Sequence, residues 1–172
     1  MQKKEIFNVK NMTRLALVAA MYAVLTVVIA PLAFGEIQFR FSEVLVPLCF
    51  YRKDYALALI VGCFIANLFS PMGLMDIIFG TLATAAAVIP MYYMKNIYLA
   101  ALLPIVSNGI IVGTELTIAF GTPIWLNMLS VAFGELVVVG IIGIIVFKLL
   151  FETNSALPRI IGSTRKNNKT TV

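Results

Sequence analysis

The sequence predicts an all-α integral membrane protein, a bundle of six transmembrane helices with both termini in the cytoplasm. Its composition, its apolar segments and the placement of its basic residues lead to this prediction. Of the 172 residues, 61% are hydrophobic and 12% are charged, and the mean hydropathy is +0.99. Soluble domains carry about 25% charged residues. The chain is therefore expected to expose its apolar surface to lipid.

Five apolar segments approach or reach the roughly 20 helical residues needed to cross a bilayer. They are residues 15–34, 55–74, 77–94, 97–119 and 124–147. We interpret 15–34 as a retained helix, because it is long for the apolar core of a signal peptide. A sixth segment, 44–51, is short and contains Pro47, so it crosses only if it also takes in residues 39–43 and buries their polar groups.

The basic residues favour six spans over five. With six spans and a cytoplasmic N-terminus, every one of the 13 Lys and Arg residues except Arg40 lies on the inner side. Five spans would place the basic N-terminus on the outer side. The predicted organisation is a cytoplasmic segment at 1–12, a membrane domain at 13–151 and a disordered basic cytoplasmic tail at 152–172.

Several functions are disfavoured by what the sequence lacks. The basic residues lie at the chain ends and in short connections, which is typical of a membrane protein rather than of a nucleic-acid-binding one. Histidine is absent, and Cys49 and Cys63 lie in apolar runs without a CxxC spacing, so we expect no metal site and no cofactor. No nucleotide-binding loop or catalytic constellation occurs. We therefore expect no enzyme activity, and an ATP-driven process would need separate subunits.

Polar residues gather in the predicted outer half of the helices. Unpaired polar groups are costly in lipid, so their depth is informative. An outward-opening cavity explains six of them together: Asn67, Asp76, Asn108, Glu115, Asn127 and Glu135. The three amides fit equally well as helix–helix hydrogen-bonding groups, and Asp76 fits equally well as a helix N-cap. Solute or proton binding is favoured over a structural role for Glu115 and Glu135.

The first outer loop alternates polar and apolar residues from 36 to 42, which is the period of an extended strand. A strand across the cavity mouth would place Glu36, Gln38 and Arg40 on one side and act as a lid. Pairing of Arg40 with lipid phosphate, Glu36 or Glu43 is the alternative.

The first helix carries two pairs of alanines spaced by four residues, Ala16 with Ala20 and Ala19 with Ala23. This spacing permits close helix contact, either within the bundle or with a partner.

The chain resembles the QueT family over residues 13–150. The resemblance is carried by the alanine spacing and, most specifically, by segments 35–43 (GEIQFRFSE) and 76–84 (DIIFGTLAT). Proteins of this family are substrate-binding subunits of energy-coupling factor transporters for queuosine precursors in the prokaryotic plasma membrane. The resemblance implies a membrane coupling subunit and two ATPase subunits as partners, with docking through Ala16, Ala20 and Ala23.

The ligand implied by this resemblance is a 7-deazaguanine such as 7-aminomethyl-7-deazaguanine. Carboxylates can accept its N–H donors and amides can meet its ring carbonyl. The residues expected to contact it are Glu36, Gln38, Arg40, Glu43, Asn67, Asp76, Asn108, Glu115, Asn127 and Glu135. Two alternatives remain: an autonomous proton-coupled carrier, and a binding subunit for another vitamin-like solute.

Overall fold

The computed structural model describes residues 8–35, 39–153 and 160–163, without the side chains of residues 151 and 152. No strand occurs in these ranges. The helices are α1 (Val9–Val28), α2 (Ala30–Ala33), a 3₁₀ helix (Phe41–Leu45), α3 (Leu48–Tyr51), α4 (Tyr55–Asn67), a π-helical segment (Asp76–Gly80), α5 (Thr81–Met91), α6 (Ile97–Phe120), α7 (Ile124–Glu135), a second π-helical segment (Leu136–Gly143) and α8 (Ile144–Thr153).

The first helix begins and ends about six residues earlier than predicted. The side chain of Asn8 caps its start by accepting a hydrogen bond from the Lys10 N–H. It ends at Val28, and Pro31 lies in the first turn of α2. Proline has no N–H to donate to the carbonyl four residues earlier, which weakens a helix at this point. The backbone leaves helical geometry at Ile29, with φ −111° and ψ 31°.

The prediction of an extended strand at 36–42 is wrong from Phe41 onward, where the chain forms the 3₁₀ helix. Residues 36–38 lie outside the described ranges. Ser42 and Glu43 are both buried against α1. Consecutive side chains of a strand point to opposite faces, so a helical turn is needed to bury both on the same side.

The elements pack in a closed circuit. Helix α1 packs against α4, α4 against α5, α5 against α6, and α6 against α7. The segment Leu136–Gly143 continues from α7 and packs against the 3₁₀ helix, which returns to α1. Side chains that point to the middle of this circuit are therefore shielded from the environment outside the bundle.

Helices α1 and α4 approach closely at Gly62. A Cβ atom at this glycine would lie 2.7 Å from the Ala19 carbonyl oxygen and 3.0 Å from the Tyr22 Cβ. Ala19 and Ala23 are buried in the core, whereas Ala16 and Ala20 are exposed. The first pair therefore serves packing within the chain, and of the predicted docking residues only Ala16 and Ala20 remain accessible.

Three of the described helices are long and apolar enough to cross a membrane: Val9–Val28, Ile97–Phe120 and Ile124–Leu150. Three shorter apolar helices, Phe41–Tyr51, Tyr55–Asn67 and Asp76–Met91, occupy the positions of the other three predicted spans. The six-span count and the cytoplasmic termini remain predictions.

The end of the bundle where α4 begins holds a separate polar network. Arg52 pairs with Asp54 at 2.7 Å and donates to the Gly162 carbonyl oxygen, while the Tyr55 hydroxyl donates to the Ile161 carbonyl oxygen at 2.8 Å. Residues 160–163 are thus held against the bundle, although the predicted tail as a whole, 152–172, lies mostly outside the described ranges.

Candidate functional site

A buried polar cluster lies near the other end of α4. Every helix of the circuit contributes to it except the segment Leu136–Gly143. All of the contributing side chains are buried. The acidic members are Glu43 from the 3₁₀ helix, Asp76 from the first π-helical segment, Glu115 from α6 and Glu135 from α7. The other members are Tyr22, Thr26, Arg40, Ser42, Cys63, Asn67, Thr84 and Asn108. The network at Tyr55 lies 12 residues away along α4, or about 18 Å at 1.5 Å per residue.

Arg40 supplies the positive charge of this cluster. Its Nη2 lies 3.3 Å from the Asp76 Oδ1, its Nε donates to the Ala33 carbonyl oxygen at 3.4 Å, and its guanidinium lies 5.4 Å from the centre of the Phe34 ring. Asp76 also accepts a hydrogen bond from the Ser70 hydroxyl. The partner of Arg40 is therefore Asp76, which follows two helical residues and so does not occupy the predicted N-cap position.

Gly80 provides the space for the guanidinium. A Cβ atom here would lie 2.8 Å from the Asn67 Nδ2 and 3.3 Å from the Arg40 Nη1. The same Asn67 amide donates to the Asp76 carbonyl oxygen at 2.8 Å, and its Oδ1 has no hydrogen-bond partner among the described residues. Asn67 thus joins the end of α4 to the π-helical segment.

Glu115 is the carboxylate of the cluster that accepts no hydrogen bond from the described residues. It is fully buried, and neither of its oxygens has a hydrogen-bond partner among the described residues. The Asp76 carboxylate is its strongest charged neighbour and contacts it directly, and the charge of Arg40 attracts it more weakly. Burying an ionised carboxylate without donors costs several kcal/mol, so N–H donors from a ligand would stabilise the charged form of this side chain.

Glu43 and Glu135 each use one oxygen and leave the other unpaired. The Tyr22 hydroxyl donates to the Glu43 Oε1, and the Asn108 Nδ2 donates to the Glu135 Oε1 at 2.6 Å. The Oε2 atom of each glutamate has no partner among the described residues, and the two carboxylates repel each other. They form a second acidic pair beside that of Asp76 and Glu115.

The remaining predicted site residues lie apart from these pairs. The Asn127 amide donates to the Thr117 and Thr122 hydroxyls at 2.9 and 2.8 Å, so it bridges the connection between α6 and α7. Glu36 and Gln38 lie outside the described ranges. The structure therefore brings together Arg40, Glu43, Asn67, Asp76, Asn108, Glu115 and Glu135.

Several members of the cluster were not predicted from the sequence. Tyr22 and Thr26 lie on the apolar first helix, and the Thr26 and Ser42 hydroxyls are 2.6 Å apart. Cys63 lies in an apolar run of the sequence, yet its sulfur lies 3.2 Å from the Thr84 hydroxyl and 3.4 Å from the Asn67 amide. The four-residue spacings from Tyr22 to Thr26 and from Cys63 to Asn67 place each pair on one helix face, which was the available signal.

The cluster is suited to a cationic ligand rich in N–H donors. It holds four carboxylates and one guanidinium, and four of the eight carboxylate oxygens are unpaired among the described residues. These carboxylates do not form a metal-binding group of three within those residues. The site is closed, since Glu43, Asp76 and Glu115 are at most 1% exposed. An open pocket of about 380 Å³ lies instead near the start of α4, between Leu15 and Tyr93.

Part of the chain is similar in sequence to a known transporter. A curated relative, the "Queuosine precursor transporter QueT" of Lactococcus lactis subsp. cremoris (strain MG1363), is 36% identical over 86 residues. The match covers 49% of this chain and 48% of the relative, so it spans about half the length of each. No solved structure matches the chain.

The sequence profile of the QueT transporter family matches residues 12–152. This range includes every described residue of the polar cluster. The chain belongs to the QueT transporter family.

Proposed function

We propose that this protein binds a cationic 7-deazaguanine, such as 7-aminomethyl-7-deazaguanine, as the substrate-binding subunit of an energy-coupling factor transporter. The observation that carries the proposal is the set of unpaired carboxylate oxygens on Glu43, Glu115 and Glu135 within a closed ring of helices. Family membership and the name of the Lactococcus relative support a queuosine precursor as the solute.

The chemistry of the cluster matches this solute class. A guanine-like edge offers N–H donors to a carboxylate, and an aminomethyl group adds a positive charge that offsets the excess of carboxylates. An anionic solute would face at least three carboxylates with unpaired oxygens. We therefore expect a carboxyl-substituted 7-deazaguanine to bind far more weakly than the aminomethyl compound.

The proposed topology is the six-span one, in which the polar cluster lies toward the outer face. The circuit has six helical parts and the placement of basic residues favours six crossings. Bound solute would then enter from outside, and the energy for its release inward would come from two ATPase subunits joined through a membrane coupling subunit.

Thermal unfolding of the purified protein in detergent tests the ligand. A ligand present at 100 times its Kd stabilises a protein by about 2.7 kcal/mol, so 7-aminomethyl-7-deazaguanine should raise the unfolding midpoint, whereas riboflavin, biotin and the carboxyl-substituted analogue should not. A response confined to an unrelated vitamin would refute the assignment of the solute.

Uptake into cells tests the coupling. Accumulation of the labelled aminomethyl compound should require co-expression of the coupling and ATPase subunits. Accumulation by this chain alone, driven by a proton gradient, would favour an autonomous carrier.

A further inference from the structure

We propose that the two acidic pairs have separate tasks: Glu115 binds the ring N–H and amino edge of the guanine, and Glu43 with Glu135 binds the ammonium of the aminomethyl group. This assignment rests on the proposed function. It makes Glu43 and Glu135 the residues that determine preference for a cationic substituent.

The hydrogen bonding of Glu115 carries the first half of the assignment. A guanine presents a ring N–H and an exocyclic amino group side by side, and two such parallel donors match a carboxylate with both oxygens available. Glu115 is the carboxylate of the cluster whose two oxygens are both buried and unpaired among the described residues.

Arg40 supports the same orientation. The ring carbonyl of a guanine lies next to its N–H edge and accepts hydrogen bonds. A guanidinium has five N–H donors, and the bonds from Arg40 to Ala33 and Asp76 leave donors for this carbonyl.

The second half follows from Glu43 and Glu135. Each keeps one unpaired oxygen, while Tyr22 and Asn108 hold the other oxygen in place. The charged neighbours of this pair are each other and Arg40, whose ion pair is with Asp76. An ammonium has three donors, so it can bridge the two free oxygens and offset their mutual repulsion.

The spacing of the pairs is compatible with one ligand. Glu115 and Asn108, the hydrogen-bond partner of Glu135, lie seven residues apart on α6, which is about 10 Å along the helix axis. The edge and the aminomethyl group lie at opposite ends of the bicyclic ligand. With a hydrogen bond of about 2.9 Å at each end, the ligand can span a distance comparable to this spacing.

Dissociation constants of two ligands for the unsubstituted protein, three site variants and one control variant test the assignment. The ligands are 7-aminomethyl-7-deazaguanine and 7-cyano-7-deazaguanine, which share the guanine edge and differ in the cation. The variants are Glu115→Gln, Glu135→Gln and Glu43→Gln. Asp54→Asn serves as the control, since it makes the same carboxylate-to-amide change in the ion pair with Arg52 at the far end of α4.

The expected readout is the preference, defined as the Kd of the cyano compound divided by the Kd of the aminomethyl compound. Glu115→Gln should weaken both ligands by about 10- to 100-fold, since charged hydrogen bonds are lost, and leave the preference unchanged. Glu135→Gln and Glu43→Gln should weaken mainly the aminomethyl ligand and lower the preference about tenfold. Asp54→Asn should change neither.

A lower preference in Glu115→Gln, or an unchanged preference in both Glu43→Gln and Glu135→Gln, would overturn the division of tasks. The proposed function fails separately, if the unsubstituted protein binds neither compound. Unfolding midpoints of the ligand-free variants show that each is folded before its affinity is compared.

Discussion

Gly80 lies where the guanidinium of Arg40 and the amide of Asn67 meet the backbone of the first π-helical segment. Both polar groups occupy space that any side chain would take. Gly80 has no Cβ atom, and two contacts therefore depend on it. One is the ion pair of Arg40 with Asp76, and the other is the hydrogen bond from Asn67 that joins α4 to the π-helical segment.

Gly80→Ala should lower stability and weaken ligand binding. The added methyl group would lie 2.8 Å from the Asn67 Nδ2 and 3.3 Å from the Arg40 Nη1, and overpacking of this kind costs about 1–3 kcal/mol. The unfolding midpoint and the Kd report the effect. Gly140→Ala is the matched control, since its nearest contact is the flexible end of Leu136 at 3.2 Å. Equal effects of the two changes would contradict the role given to Gly80.

Tyr22→Phe tests the support of Glu43. The change removes the hydroxyl that donates to the Glu43 Oε1, so both oxygens of a buried carboxylate are left without a donor from the chain. The expected cost is about 1–3 kcal/mol, measured as a lower unfolding midpoint of the ligand-free protein. Tyr93→Phe, at a tyrosine that is 73% exposed, should leave the midpoint unchanged, and an equal loss there would exclude a specific effect.

At the scale of the element, helices α1 and α4 depend on small residues where they meet. Gly62 faces the Ala19 carbonyl and the Tyr22 Cβ, and the neighbouring Ala23 is buried in the same core. This contact places Tyr22, on α1, beside the cluster. The alanines of the first helix thus lie on two faces with different surroundings. Ala19 lies on the buried face and Ala16 on the exposed face.

Gly62→Ala should destabilise the protein although alanine favours helices. The gain in helix propensity is about 1 kcal/mol. The new Cβ would, however, lie 2.7 Å from the Ala19 carbonyl oxygen. A backbone oxygen can move away only if the whole helix shifts. Displacing α1 also moves Tyr22, so the unfolding midpoint and ligand affinity should fall together. A rise in the midpoint would show that the two helices are free to separate.

At the scale of the whole molecule, the polar cluster and the Arg52–Asp54 network lie at opposite ends of α4. Helix α1 also has an exposed face beside the buried face that packs in the bundle. Solute binding and partner docking are therefore expected to be separable by mutation.

The double substitution of Ala16→Leu and Ala20→Leu tests that separation. Larger side chains on this exposed face should block close docking of a coupling subunit, so co-purification and uptake should be lost, while thermal stabilisation by the ligand persists. Ala86→Leu, at an exposed alanine of α5, is the control. Retained uptake in the double variant would move the docking surface elsewhere.

The gathering of the buried carboxylates toward one end of the bundle could be predicted from the sequence. Glu115 and Glu135 stand out within long apolar runs, and Asn67, Asp76 and Asn108 follow the same distribution. The positions of the helices were also recognisable, since apolar length and turn-forming residues are local properties. Local signals did not show that Pro31 divides the first span or that Phe41–Leu45 forms a 3₁₀ helix.

The sequence by itself therefore determined the apolar helical character, the end of the bundle that holds the polar residues, and the resemblance that pointed to the QueT family. Only the tertiary structure decided the partners: Arg40 with Asp76, Tyr22 with Glu43, Asn108 with Glu135, and no partner for Glu115 among the described residues. These contacts join residues from different helices of a closed circuit. Hydropathy and helical period describe one helix at a time, so the pairing appears only when the helices are packed together.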